Sequence, residues 1–200
     1  MKERQVFAGC LQETWRNGVT NMELDGCYLL TSGLPESKSR RSEQGVCIVL
    51  SPEALHSWKA SGFEIHNDLG ARVMGIRLLM KDNKNNDVGL FLISAYAPVG
   101  SAKQPLWDDF IETLELCISR KRLNDILIVG CDANSSVGTL SNQDNREGIE
   151  SVGKYGLSYQ NHSGICFRTY MEVNNLTLLT THFKKRNYST WVNPRSKQPH

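Results

Sequence analysis

The stretch Asp125-Ile-Leu-Ile-Val-Gly130-Cys131-Asp132-Ala133-Asn134 narrows most sharply what this chain can become. A short aliphatic run bounded by turn residues reads as a strand buried on both faces, and such strands belong to layered α/β folds. The run stops at a glycine and is followed by a carboxylate and a carboxamide two positions apart. In layered folds, the point where a strand leaves its sheet commonly carries ligand or catalytic groups. If the strand geometry continues, Asp132 and Asn134 point the same way, because side chains alternate. An acceptor and a mixed donor–acceptor aimed at one spot suit phosphate or metal chemistry.

The remaining elements agree with that class. Strands are expected at Val6 to Leu11, Asp25 to Thr31 and Val46 to Leu50, with a loop rich in Ser, Lys and Arg from Ser32 to Gln44. Ser51-Pro52-Glu53 supplies an N-cap, a proline at the first helical position and an early acid, which predicts a short helix to about Lys59. Further strands fall near Phe63 to His66, at Arg72 to Met80 and at Val88 to Ala95. The last two flank Asp82-Asn-Lys-Asn-Asn-Asp87 and make a hairpin.

Between Lys103 and Arg122, Leu106, Phe110, Leu114 and Cys117 share one helical stripe, with Trp107, Ile111 and Ile118 beside it. Asp108, Asp109 and Glu112 near its start, and Arg120-Lys121-Arg122 at its end, complement a helix dipole. After Asn134 a polar loop runs to about Asn161. A helix from Ser163 to Val173 and strands at Leu176 to Thr181 and Tyr188 to Val192 complete the order. Hairpin strands followed by strands separated by helices predict a mixed-sheet α/β protein, and the absence of repeats or linkers predicts a single domain over residues 1–200.

Composition sets few limits. Twenty-three basic against twenty-one acidic residues give +2, so no global charge argues for nucleic acid. Lys184, Lys185, Arg186, Arg195 and Lys197 form an acid-free basic tail that can meet phosphates or simply be solvated. No stretch is apolar for the roughly 18 residues a membrane span needs, and no signal-peptide core opens the chain, so a soluble, intracellular protein is expected. The six cysteines are scattered without a close pair, which favours packing over a metal knuckle. There is no Gly-x-Ser-x-Gly elbow, no Gly-x-x-x-x-Gly-Lys loop and no His-Glu-x-x-His helix.

Four segments carry polar or aromatic residues suited to chemistry, three at strand ends, Leu11-Gln12-Glu13-Thr14, Ser94-Ala95-Tyr96-Ala97-Pro98 and Gly130-Cys131-Asp132-Ala133-Asn134, and one within a strand, Ser189-Thr190-Trp191. Each alone reads as a solvated acid, a rim aromatic or a core tryptophan. Their joint order and wording resemble the endonuclease/exonuclease/phosphatase superfamily, which has a deoxyribonuclease-I-like fold. Within it, the chain looks most like endonuclease domains of non-LTR retrotransposons and their craniofacial development protein 2-like relatives. Gly45-Val-Cys-Ile-Val-Leu50, Gly153-Lys-Tyr-Gly-Leu157 leading to Asn161, and Asn175-Leu176 leading to Thr181 and Phe183 extend the likeness over essentially the whole sequence.

The resemblance implies a four-layer α/β sandwich, two packed mixed β-sheets flanked by helices. It implies Mg2+, or Mn2+, held by Glu13, and DNA as the substrate of phosphodiester hydrolysis. Asp132 matches the residue that orients or activates the attacking water. Asn134 matches the asparagine that bonds the phosphate as charge grows on it, and Tyr96 matches a tyrosine whose hydroxyl contacts the phosphoryl group. Thr190, Trp191 and Asn161 match site-lining positions. A retrotransposon origin would place the protein in the nucleus; no membrane and no protein partner is implied.

Departures from the family pattern matter as much. Only twelve residues precede Glu13, so the family's first, Asn-bearing strand has no counterpart. The closing Asp-His pair has none either: His200 stands too early, and His56, His66, His162 and His182 match no catalytic position. The expectation is therefore a fragment that is poorly soluble and has little or no nuclease activity by itself. Two alternatives keep the same fold: a phosphoesterase acting on a phosphoinositide or nucleotide ester, and a catalytically dead remnant or binding module.

Overall fold

The computed structural model describes residues 5–35, 44–140 and 151–188. The fold divides into two compact units, Met1–Pro98 with Ala102–Ala133 and Val99–Ser101 with Asn134–His200.

The first unit is an α/β sandwich of two packed four-stranded sheets. Its first sheet contains β1 (Ala8–Gln12), β2 (Val19–Leu24), β3 (Cys27–Ser32) and β4 (Val46–Leu50), in the order β1-β4-β3-β2. Every pairing in it is antiparallel. The second contains β5 (Ile65–His66), β6 (Val73–Lys81), β7 (Asp87–Tyr96) and β8 (Ile126–Asp132), in the order β5-β6-β7-β8. Here β7 and β8 run parallel, so only the second sheet is mixed, where two mixed sheets were expected.

Alternation along the strands builds the core. Leu30, Ile48 and Leu50 from the first sheet meet Met74, Ile76, Leu78 and Leu92 from the second, all buried. Ala54 and Trp58 of helix α1 (Pro52–Ala60) enter the same cluster. The helix starts where the sequence places it: the Ser51 side chain accepts from the Ala54 amide at 3.2 Å, and Pro52 occupies the first turn. The hairpin also forms as expected, with Lys81 opposite Asp87 and Val73 opposite Ala95.

Helix α2 (Gln104–Ser119) buries Trp107, Phe110, Leu114 and Cys117. Beneath it lies Gly75, where a Cβ would stand 2.9 Å from the Cys117 sulfur. Leu106, assigned to the buried stripe from sequence, is exposed, and Trp107 takes its place. The expected dipole complement is weaker than foreseen: no acid falls in the first turn, no base falls in the last, and Arg120 is the C-cap. Arg120 instead forks onto Asp68, at 2.5 and 2.8 Å, and Arg122 reaches Glu64.

Three further departures from the sequence reading have physical reasons. Val19–Leu24 was not foreseen as a strand because almost all of it is exposed at the sheet's edge, so no hydrophobic alternation betrays it. The β8 run is not buried on both faces. Among the described residues it is the edge strand of its sheet, with Ile126 55% and Ile128 44% exposed. Its apolar density reflects strand propensity rather than two-sided burial.

The third lies in the second unit. Leu176 to Leu178 has no regular structure and leads into a short 3-10 helix (Leu179–Thr181) instead of a strand. Asn175 turns left-handed at φ +52° just before it, and the Thr181 hydroxyl donates to the Leu178 carbonyl while accepting from the Gly153 amide. Local side-chain bonds of this kind compete with a sheet ladder. Helix α3 (His162–Val173) forms as predicted. The strand expected at Tyr188 to Val192 lies almost wholly outside the described residues.

Candidate active site

In the first unit, strands β1, β7 and β8 bring their C-terminal ends together. Tyr96, the last residue of β7, stands opposite Asp132, the last of β8. Because partners in a ladder share a face, the two side chains emerge on the same side of the sheet. The Ala97 amide donates to the Asp132 carbonyl at 2.9 Å and carries the pairing one step beyond the strands.

Strand β1 is tied to this end by side chains. Gln12 donates from Nε2 to the Gly130 carbonyl at 3.1 Å and to the Ser94 hydroxyl at 3.3 Å. Ser94 in turn donates to the Leu11 carbonyl. The close approach needs Gly130, since a Cβ there would fall 2.6 Å from Cys10 Cβ. With β1 so held, Glu13 follows it at once, in left-handed backbone at φ +54°. Its Oε1 accepts a hydrogen bond from the Tyr96 hydroxyl at 2.5 Å.

Tyr96 is only 6% exposed, whereas Glu13 and Asp132 are exposed. A buried phenol thus orients a carboxylate that remains open to solvent. A phenol has one proton to donate, and here that proton goes to Glu13.

Arg72 completes the surroundings, and the sequence reading missed it. Its carbonyl accepts from the Tyr96 amide at 2.8 Å, its Nη1 donates to the Tyr96 carbonyl at 3.1 Å, and its guanidinium lies 5.1 Å from the Tyr96 ring centroid. Partial burial pulls its pKa below the ordinary value, opposed by the nearby Tyr96 and Asp109. The hairpin held the signal, because extending the Val73–Ala95 pairing by one residue puts Arg72 opposite Tyr96.

Cys131 adjoins Asp132, but burial, with the Asp132 charge adding to it, pushes its thiol up to about 12. A thiol that stays protonated is a poor nucleophile.

Asn134 and Asn161 belong to the second unit. Strand β8 ends at Asp132, and Asn134 turns left-handed at φ +45°. The alternation expected to aim Asn134 alongside Asp132 therefore does not continue. Asn161 caps helix α3: its Oδ1 accepts from the Gly164 amide at 2.8 Å, the Ser136 amide at 3.1 Å and the Ser163 hydroxyl at 3.1 Å. Its carboxamide oxygen is committed to fastening the 134–138 loop to the helix. Gly164 permits the contact, since a Cβ there would stand 1.9 Å from the Ser136 carbonyl oxygen. Thr190 and Trp191 lie outside the described residues.

A divalent cation can be tested against these donors. Among the described residues no three His, Cys, Asp or Glu side chains gather into a metal cage. That excludes a closed zinc-type site from the described residues. It does not exclude Mg2+, which is usually held by one or two carboxylates and completes its shell with water and substrate phosphate. Glu13, oriented by Tyr96 and exposed, fits that narrower requirement.

No protein-family model matches the chain, and no curated protein or solved structure does either.

Proposed function

We propose that the chain is a domain of the endonuclease/exonuclease/phosphatase type that hydrolyses phosphodiester bonds with Mg2+, or Mn2+ in its place, and takes DNA as substrate. The observation that carries this reading is the hydrogen bond from Tyr96 to Glu13, with Asp132 as the ladder partner of Tyr96. Residues 13, 96 and 132 are remote in sequence, and all three are positions that the likeness to the family marks.

The roles follow from the chemistry of each group. Glu13 would hold the cation, with Tyr96 fixing the orientation of its carboxylate. The cation would supply charge stabilisation for the phosphate oxygens. Asp132, an exposed carboxylate, accepts a proton from the attacking water. Arg72 holds the Tyr96 backbone and ring in place.

Purified chain incubated with supercoiled plasmid tests the reading. Slow nicking is expected in Mg2+ or Mn2+, lost with EDTA and lowered about a hundredfold or more by Asp132→Ala, the scale of a removed general base. Nicking that survives EDTA or ignores Asp132→Ala overturns it. Faster turnover of a phosphoinositide or nucleotide ester than of DNA would move the substrate class while keeping the chemistry. Turnover of none of these would leave a binding module of the same fold.

A further inference from the structure

The loop Glu13 to Gly18, between β1 and β2, shows a feature that hydrolysis does not require. Trp15 is held in left-handed backbone at φ +55°, two residues after Glu13 at φ +54°, and Gly18 follows at φ +66°. Bulky aromatic residues are seldom found there, and such outliers gather at functional sites.

The loop is pinned from behind. The Thr14 amide donates to the Gly45 carbonyl at 3.1 Å, and the Gly18 amide donates to the Leu34 carbonyl at 2.7 Å. A Cβ on Gly33 would stand 1.9 Å from the Arg16 carbonyl oxygen, and one on Gly45 would stand 2.4 Å from the Thr14 hydroxyl. Two glycines therefore let the chain press directly against this loop. Held that way, the loop presents an indole 48% exposed to solvent, with the exposed Arg16 beside it. Trp58 and Trp107, by contrast, are buried in the core.

We propose that Trp15 is a stacking platform for an unpaired nucleobase, with Arg16 meeting a neighbouring backbone phosphate, so that the substrate of the Glu13 site is single-stranded or locally unpaired DNA. The inference rests on the phosphodiesterase reading and names its substrate form. An indole face accepts any base by stacking, and a guanidinium beside it meets the backbone charge. A loop already fixed in its binding geometry loses little freedom when the ligand arrives.

The test uses the full chain and fluorescein-labelled twelve-nucleotide DNA, single-stranded and as a blunt duplex, read by anisotropy with Ca2+ in place of Mg2+. Trp15→Ala is expected to weaken single-strand binding about tenfold or more, Trp15→Tyr to keep most of it, and duplex binding to change little. Trp15→Gly is expected to bind as weakly as the alanine variant yet melt no lower than the parent, because glycine accepts the left-handed backbone. Unchanged single-strand affinity in Trp15→Ala, equal loss for both DNA forms, or a marked drop in Tm for Trp15→Gly overturns the proposal. A parent chain that binds neither DNA form overturns it together with DNA as the substrate of the proposed function, whereas tight binding indifferent to Trp15 overturns it alone.

Discussion

Arg77 and Asp125 form a two-pronged ion pair inside the first unit, Nε to Oδ2 at 2.8 Å and Nη2 to Oδ1 at 2.9 Å. Their side chains are 10% and 3% exposed. Gly89, across the hairpin, makes room for it, since a Cβ there would stand 1.7 Å from Asp125 Oδ1. The pair joins β6 to the residue that opens β8, and so fixes where the Asp132-bearing strand begins.

Removing one member leaves the other buried and uncompensated, a change that costs about 3–5 kcal/mol. Asp125→Ala should therefore lower stability strongly in urea titrations. The Arg77 guanidinium beside Asp125 holds its carboxyl below the ordinary value of 3.8. A depressed folded-state pKa contributes stability that is present above the unfolded value and lost as pH falls through the folded one. Unfolding midpoints should thus fall for the parent as pH drops below about 4, and less steeply for Asp125→Ala; parallel pH curves would show that the pair contributes nothing.

Gly75 offers a second test of packing. Its missing Cβ would meet the Cys117 sulfur at 2.9 Å and Phe91 Cζ at 3.2 Å. Gly75→Ala should cost about 1–3 kcal/mol by overpacking. In the Cys117→Ala background the same substitution should cost less, because the closest contact has gone. A double-mutant cycle without coupling would place the strain elsewhere.

Tyr96→Phe removes the donor to Glu13 and keeps the buried ring. Divalent-dependent DNA nicking is expected to drop about a hundredfold, as for loss of one preorganised donor, with little change in Tm. Asn161→Ala should behave in the opposite sense, lowering stability by about 1 kcal/mol or more as a helix cap is lost. Comparing nicking rate and Tm for the two variants separates a site residue from a structural one.

The thiols divide by environment. Burial pushes Cys10 and Cys47 up to about 11 and Cys117 up to about 12. Cys166, on α3, is exposed. A thiol reagent at pH 8 should label Cys166 in seconds to minutes and those three only on unfolding, as mass spectrometry of timed samples would show; early labelling of Cys117 would contradict the packing beneath α2.

Much of the fold was legible wherever one residue's chemistry decides local structure. Ser51 and Pro52 started α1, and the Asp82 to Asp87 turn set the hairpin. What escaped depended on neighbours. Val19–Leu24 is a strand because β3 offers it an edge, not because of its own pattern. Thr181 reads as a strand residue until its hydroxyl finds Gly153 and Leu178. At the site, Glu13, Tyr96 and Asp132 were nominated from wording alone, yet the bond from Tyr96 to Glu13 spans 83 positions, and no local pattern encodes it. Arg72 went unnoticed because its partners are one carbonyl, one amide and a ring face.

The hairpin between β6 and β7 also bears on the order of folding. Its strands are joined by a short turn, so pairing Val73 with Ala95 needs little loop closure, whereas β1 must find β7 across more than eighty residues. Local pairings tend to lead and distant ones to follow. Conservative substitutions at Ile76 and Leu92 should therefore slow folding, while those at Leu11 or Gln12 mainly speed unfolding. Glu13 would then reach Tyr96 only in the final descent to the native state, and the chemistry of this protein would be the last thing its folding completes.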